Sequence, residues 1–262
     1  MISELILNRI LSRDLKLSSD IMRAEILEDT TPVPVFGNYK DSKIVTVGIN
    51  PSSKEFPSGK DRRLIHLSDV ELPANYYQLG LNSMSIEQAT IIENGLVNYF
   101  LKDPYWGWFD HPETAIKIGF EASYKSNNLQ KSSCHLDIFP WATTKFSGLN
   151  SKIQSEFCSE NLLFMDTFLT QGSVTDLVIL GSQTFSLLKK QLGVTTDKIQ
   201  TTSGPYGTFF ESGTLKLGQV VKQYFYTSKG PSAQFDKETS LRFQEKNEIH
   251  IAFGKFIKEF AF

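Results

Sequence analysis

The chain has 262 residues, 40% of them hydrophobic, which suffices for one substantial core. A formal charge of -2, from 27 basic and 29 acidic side chains, gives no net signature of a nucleic-acid binder but leaves room for a local basic groove. Two cysteines, Cys134 and Cys158, and four scattered histidines argue against a disulfide framework, a zinc site or an iron–sulfur cluster, so no metal site is expected.

In chain order, "MISELILNRILSRDLKL" reads as an amphipathic helix within an N-terminal helical extension over residues 1–30. Its early charges do not suit a signal peptide, and no run is long enough to span a membrane, so a soluble cytoplasmic protein is expected. Four short apolar runs read as buried strands: "KIVTVGI" (43–49), "HLDIFP" (135–140), "DLVILG" (176–181) and "QYFYTS" (223–228). The stretch "SEFCSENLLFMDTFLTQG", ending at Gly172, carries helical periodicity, as do "SQTFSLLKKQLG" after the third strand and the C-terminal "SLRFQEKNEIHIAFGKFIKEF". Strands alternating with helices predict an α/β fold with a parallel sheet. No linker or repeat divides the chain, so one domain over 1–262 is expected.

Ligands of such sheets gather at the carboxyl ends of the strands, which directs attention to four places. The first is "GINPSS", with Gly48, Ile49, Asn50, Pro51 and Ser52: either a turn capped by Asn50, or an amide held to position a water or substrate atom. The second is Phe139 to Thr144, just beyond Asp137, an acid among apolar neighbours that needs a partner such as Lys145 or has a task. The third is the Gly181–Ser182 turn. The fourth is "TSKGPSAQF", whose Lys229, Gly230, Pro231 and Ser232 form either an ordinary Gly-Pro turn or a rigid contact for a phosphate backbone. Separately, "KDPYWGWFDHPE" (102–113) packs Tyr105, Trp106, Trp108 and Phe109 into what reads as a Gly/Pro-punctuated loop, either core or the wall of a pocket for a flat ring.

Taken in order, "VTVGINPSS", "HLDIFPWAT", "LVILGSQTFSLLKK" and "SKGPSAQ" resemble the motifs of the uracil-DNA glycosylase superfamily, over Lys43 to Ala233. The first is similar to G-Q-D-P-Y-H of the uracil-specific enzymes and to G-I-N-P-G of the mismatch-specific branch. The resemblance implies a three-layer α/β/α fold with a central four-stranded parallel sheet. It also implies a monofunctional DNA glycosylase that flips out one base of double-stranded DNA and hydrolyses its N-glycosidic bond, leaving an abasic site. Such an enzyme needs no cofactor, and a monomer is expected.

The departures from the family pattern suggest a substrate. Asn50 stands where the uracil enzymes carry an aspartate, so it would position the water by hydrogen bonding. Ser52 stands where a tyrosine excludes 5-substituted pyrimidines, which leaves that side open. Asp137 falls on the base-reading asparagine, and a carboxylate that only accepts suits the N4 amino group of cytosine. Together they point to a 5-substituted cytosine, such as hydroxymethylated or glucosylated cytosine of phage DNA, and hence to antiviral defence. The resemblance gives catalytic roles to Asn50 and Asp137 and DNA contacts to Ser182, Lys229, Gly230, Pro231 and Ser232. Gly48, Ile49, Pro51, Ser52, Phe56, His66 and Trp106 would line the substrate pocket, the stacking aromatic lying among Phe56, His66, Tyr76 and Trp106. The family histidine aligns with Gly230, leaving Lys229, His66 or His135 to supply its charge. Alternatives are a repair glycosylase for uracil, mismatched thymine or hydroxymethyluracil, and a catalytically silent DNA-binding module.

Overall fold

A computed structural model describes residues 33–55, 93–102, 104–126, 128, 131–143, 146, 161, 164–170, 172–231 and 239–261. The expected N-terminal extension, Phe56, His66, Tyr76, Lys145 and Ser232 lie outside them. The fold is α/β with a seven-stranded mixed sheet. The chain groups into two compact units interleaved along the sequence: one drawn from Met1–Gly37, Ile49–Pro104 and Asp137–Met165, the other from Asn38–Gly48, Tyr105–Leu136 and Asp166–Phe262.

The second unit carries most of the sheet. β2 (Ile44–Gly48) pairs in parallel with β4 (Asp176–Leu180), and β4 pairs in parallel with β7 (Val220–Thr227). β3 (Ser133–Asp137) lies beside β2. These four strands match the four apolar runs, β3 beginning and ending earlier than its run suggests. Their burial explains the continuous apolar character: Val45, Val47, Leu136, Leu177, Val178, Ile179 and Phe225 are all fully enclosed.

Two strands were not legible as such. β5 (Thr195–Ser203) and β6 (Phe209–Leu217) form an antiparallel extension from β7, giving the order β3-β2-β4-β7-β6-β5 within this unit. The β6–β7 turn is the two-residue loop Gly218–Gln219, with Gly218 at φ +59°, a left-handed conformation that glycine adopts at little cost. β1 (Val35–Phe36), in the first unit, is only two residues long and was likewise unforeseen.

The stretch expected to be an aromatic loop is a helix, α1 (Trp106–Phe120), with Pro112 inside it. Burial of Phe109, His111, Pro112, Ala115 and Ile116 along one side compensates for the missing proline N–H. Glu121, left-handed at φ +54°, ends it by donating to the carbonyls of Ile116 and Lys117. α2 (Ser182–Leu192) stops at Gly193, and α3 (Thr239–Phe260) forms the C-terminal helix, both as their periodicity predicts. Residues 164–170 of the predicted helix before Gly172 are helical too.

Helices α1 and α3 approach closely because glycine stands at their crossing. A Cβ on Gly119 would fall 2.5 Å from Ile257, and one on Gly254 would fall 2.8 Å from Ile118. Phe253 and Phe256 of α3 stack on Phe210 of β6, and Phe120 of α1 meets Phe225 of β7. On alternate β7 positions Tyr224 and Tyr226 instead meet Phe185 of α2. Each fully buried ring of this set contributes about 1.5–3 kcal/mol. Among the described residues no helix is long and apolar enough to cross a membrane.

Candidate functional site

The first unit gathers the segments that follow β2 and β3. The Phe139 N–H donates to the Ile49 carbonyl (2.7 Å), and Ser52 and Thr143 form a parallel bridge. The backbones carrying Asn50 and Asp137 therefore run side by side. Pro51 is buried, while Ile49, Asn50 and Ser52 are half-buried; Gly48 ends β2 inside the second unit.

The Asn50 amide is held from several directions. Its Nδ2 donates to the Pro51 carbonyl (2.9 Å) and to Thr143 Oγ1 (3.1 Å), with the Trp141 carbonyl at 3.5 Å. Carbonyls only accept, so the nitrogen must face them and the orientation of the amide is fixed. Oδ1 is left with no partner among the described residues. The result is a half-buried, oriented acceptor of the kind that holds a water molecule. Ser52 is more ordinary: its Oγ accepts from the Lys54 N–H (3.2 Å), and its carbonyl accepts from the Glu55 N–H, closing a 3-10 turn over Ser53–Glu55. Glu55 is itself buried and accepts from the Tyr99 hydroxyl.

Asp137 is buried at the last position of β3, and its carbonyl accepts from Asn161 Nδ2 (2.7 Å). The Asn161 Oδ1, also buried, has no partner among the described residues. Glu55 and Asn161 were not singled out from sequence, whereas Trp141 and Thr143 fall within the Phe139–Thr144 stretch expected at a strand's carboxyl end.

The remaining candidates belong to the second unit, at the carboxyl ends of β4 and β7. Gly181 (φ +98°) precedes α2, and its N–H donates to the Thr227 carbonyl. Ser182 donates from Oγ to the Ser228 carbonyl (3.0 Å), so the Tyr226 hydroxyl, 2.8 Å away, donates to Ser182. Lys229 is half-buried and donates from Nζ to the Tyr206 carbonyl (2.6 Å), a tie within the fold. Pro231 is buried. Gly230 is required by close approach, because a Cβ there would lie 2.9 Å from the Leu180 carbonyl oxygen. A histidine at that position would force the loop away from β4.

Two sequence candidates have structural roles. His135 lies on β3 in the core: its Nδ1 meets Thr46 Oγ1 (2.7 Å), and Trp108 and Phe109 pack on its ring. It is on a strand rather than a loop, and of the aromatic cluster Phe109 is buried while Tyr105, Trp106 and Trp108 are half-buried. Trp106, half-buried at the start of α1, has Lys125 Nζ over its ring at 3.9 Å, a cation–π contact that occupies one face. Among the described residues no group of three or more His, Cys, Asp or Glu side chains can hold a metal.

No protein-family model matches this chain, and no curated protein matches it.

Proposed function

We propose that the protein is a monofunctional DNA glycosylase, with a 5-substituted cytosine as the excised base and defence against phage DNA as its role. The observation that carries the reading is the Asn50 amide, oriented by Pro51 and Thr143 so that its Oδ1 is an acceptor with no partner among the described residues. That acceptor suits a water awaiting a sugar cation. The C1′–N bond breaks with its electron pair leaving on the base, the water oxygen bonds to C1′, and its proton leaves, so the products are free base and an abasic site. Asp137 would accept from the cytosine N4 amino group, and Ser52 would leave room at C5. This reading carries with it a three-layer arrangement around four parallel strands and double-stranded DNA as the partner.

A second reading, a DNA-binding module without catalysis, is favoured by Gly230. No side chain fits there without a shift, and Lys229 is committed to Tyr206. A base-release assay on duplexes containing uracil, cytosine, hydroxymethylcytosine or glucosylated hydroxymethylcytosine separates the readings. Release of modified cytosine alone, lost in Asn50→Ala and Asp137→Asn, is the expected result. Release of uracil alone would make this a repair enzyme, and release of nothing would leave the silent module.

A further inference from the structure

The antiparallel pair β5–β6 ends in a tip, Gly204–Thr208, that none of the proposed chemistry uses. Register places it: Phe210 of β6 pairs with Thr227, the last residue of β7, so the tip extends past the carboxyl end of the parallel strands. The tip is closed on itself, the Gly204 N–H donating to the Thr208 carbonyl (2.9 Å) and the Thr208 N–H to Pro205 (3.1 Å). Phe209 exchanges two bonds with Ser228, its N–H donating to Ser228 Oγ (2.9 Å) and its carbonyl accepting from the Ser228 N–H (3.0 Å). Tip and post-β7 loop are thus one rigid piece.

Tyr206 sits at its apex in the left-handed region, φ +54° and ψ +36°, where a non-glycine residue is disfavoured. Two bonds hold it there. Lys229 Nζ donates to its carbonyl, and its hydroxyl donates to Glu248 Oε2 of α3 (2.5 Å). Despite this anchoring the side chain stays 43% exposed. An aromatic ring fixed in a strained conformation and left open to solvent contributes little to the core, so its use lies in what it meets. Glu248 and Glu245 surround the hydroxyl with negative charge. That charge repels phosphates, whereas a carboxylate at the ring edge accepts from exocyclic amino groups.

We infer that Tyr206 is a stacking platform for an unpaired nucleobase of the DNA that the proposed glycosylase reading requires. The contact is to the base and not to the backbone. Stacking of this kind tolerates any sequence and loses about 5- to 100-fold in affinity when the ring is removed. Because no phosphate is neutralised, the salt dependence of binding is unchanged by that removal.

Fluorescence anisotropy with a labelled duplex bearing one mismatched cytosine, and with the same strand unpaired, tests this across a salt series. Tyr206→Gly removes the ring and also relieves the left-handed strain, so stability is kept or raised while affinity falls; Tyr206→Trp keeps the platform and binds at least as well as the wild type. Wild-type binding with Tyr206→Gly equally tight would overturn the platform and leave the DNA reading standing. A loss accompanied by a shallower salt slope would overturn it too, as a phosphate contact. Failure of the wild-type protein to bind either probe would sink the DNA reading, and the platform with it.

Discussion

Asn50 and Thr143, 93 residues apart, meet through an Nδ2–Oγ1 hydrogen bond of 3.1 Å that ties the first sequence motif to the segment beyond β3. The bond decides which end of the amide is offered outward. Asn50→Asp places a carboxylate oxygen against the Pro51 carbonyl, 2.9 Å from the present nitrogen, with no proton between them. The expected outcome is a loss of about 1–3 kcal/mol in stability and no gain in base release, although the uracil-specific enzymes whose motif "GINPSS" resembles carry aspartate there. Urea unfolding and single-turnover rates on the same variant check both halves.

Asp137 carries the specificity argument. Asp137→Asn is expected to reduce release of modified cytosine by at least 100-fold and to admit uracil, because an amide offers a donor to O4 where the carboxylate offered none. Competition between the two substrates in one tube measures the switch.

Placing at position 230 the histidine of the superfamily that the motifs resemble should not create its chemistry. Gly230→His, like Gly230→Ala, puts a Cβ against the Leu180 backbone, and a loss of about 1–3 kcal/mol is expected for either. Equal denaturation midpoints for Gly230→Ala and wild type would show that the loop yields freely.

The two buried histidines between α1 and α3 make stability depend on pH. His111 and His250 lie with ring centroids 5.5 Å apart. Burial, with Lys246 adding to it, lowers His111 to about 4, and burial lowers His250 to about 3 against a hydrogen bond to the Lys246 carbonyl. Both folded values fall below the unfolded value of about 6.5, so the unfolded chain takes up protons first as pH falls. Stability is full above about pH 6.5 and declines toward pH 4 and then 3, at up to about 1.4 kcal/mol per pH unit for each histidine. Urea midpoints at pH 7, 6 and 5 should fall in that order, and His250→Leu should flatten the decline.

What was readable in the sequence follows burial. The runs "KIVTVGI" and "DLVILG" announce strands because both faces are covered, and α3 announces itself by periodicity. β5, "TTDKIQTTS", is a polar and largely exposed edge, so no apolar pattern marks it. Its partners gave a weak signal in the alternation of "TLKL" before "GQ", a two-residue hairpin loop. α1 was hidden because Gly107 and Pro112 punctuate it, and only tertiary burial of its aromatic side overrides them. In the site, residue type marked Asn50 and Asp137, but the partners that orient them come from segments 93 and 24 residues away, which spacing along one chain does not reveal.

The interleaving of the two units has a kinetic consequence. Val45 of β2 must find Leu177 of β4, with the first unit's Ile49–Pro104 segment and residues 105–176 emerging in between. Neither unit is contiguous: the first is complete only once Met165 has been made and the second only with its Asp166–Phe262 segment, and no single proteolytic cut releases either intact. Such long-range closure slows folding and prolongs the time that β2, a wholly apolar-faced strand, waits unpaired. Expression of truncated halves should therefore yield aggregates, whereas co-expressed fragments split at an exposed turn such as Gly218 stand a better chance of reassembly.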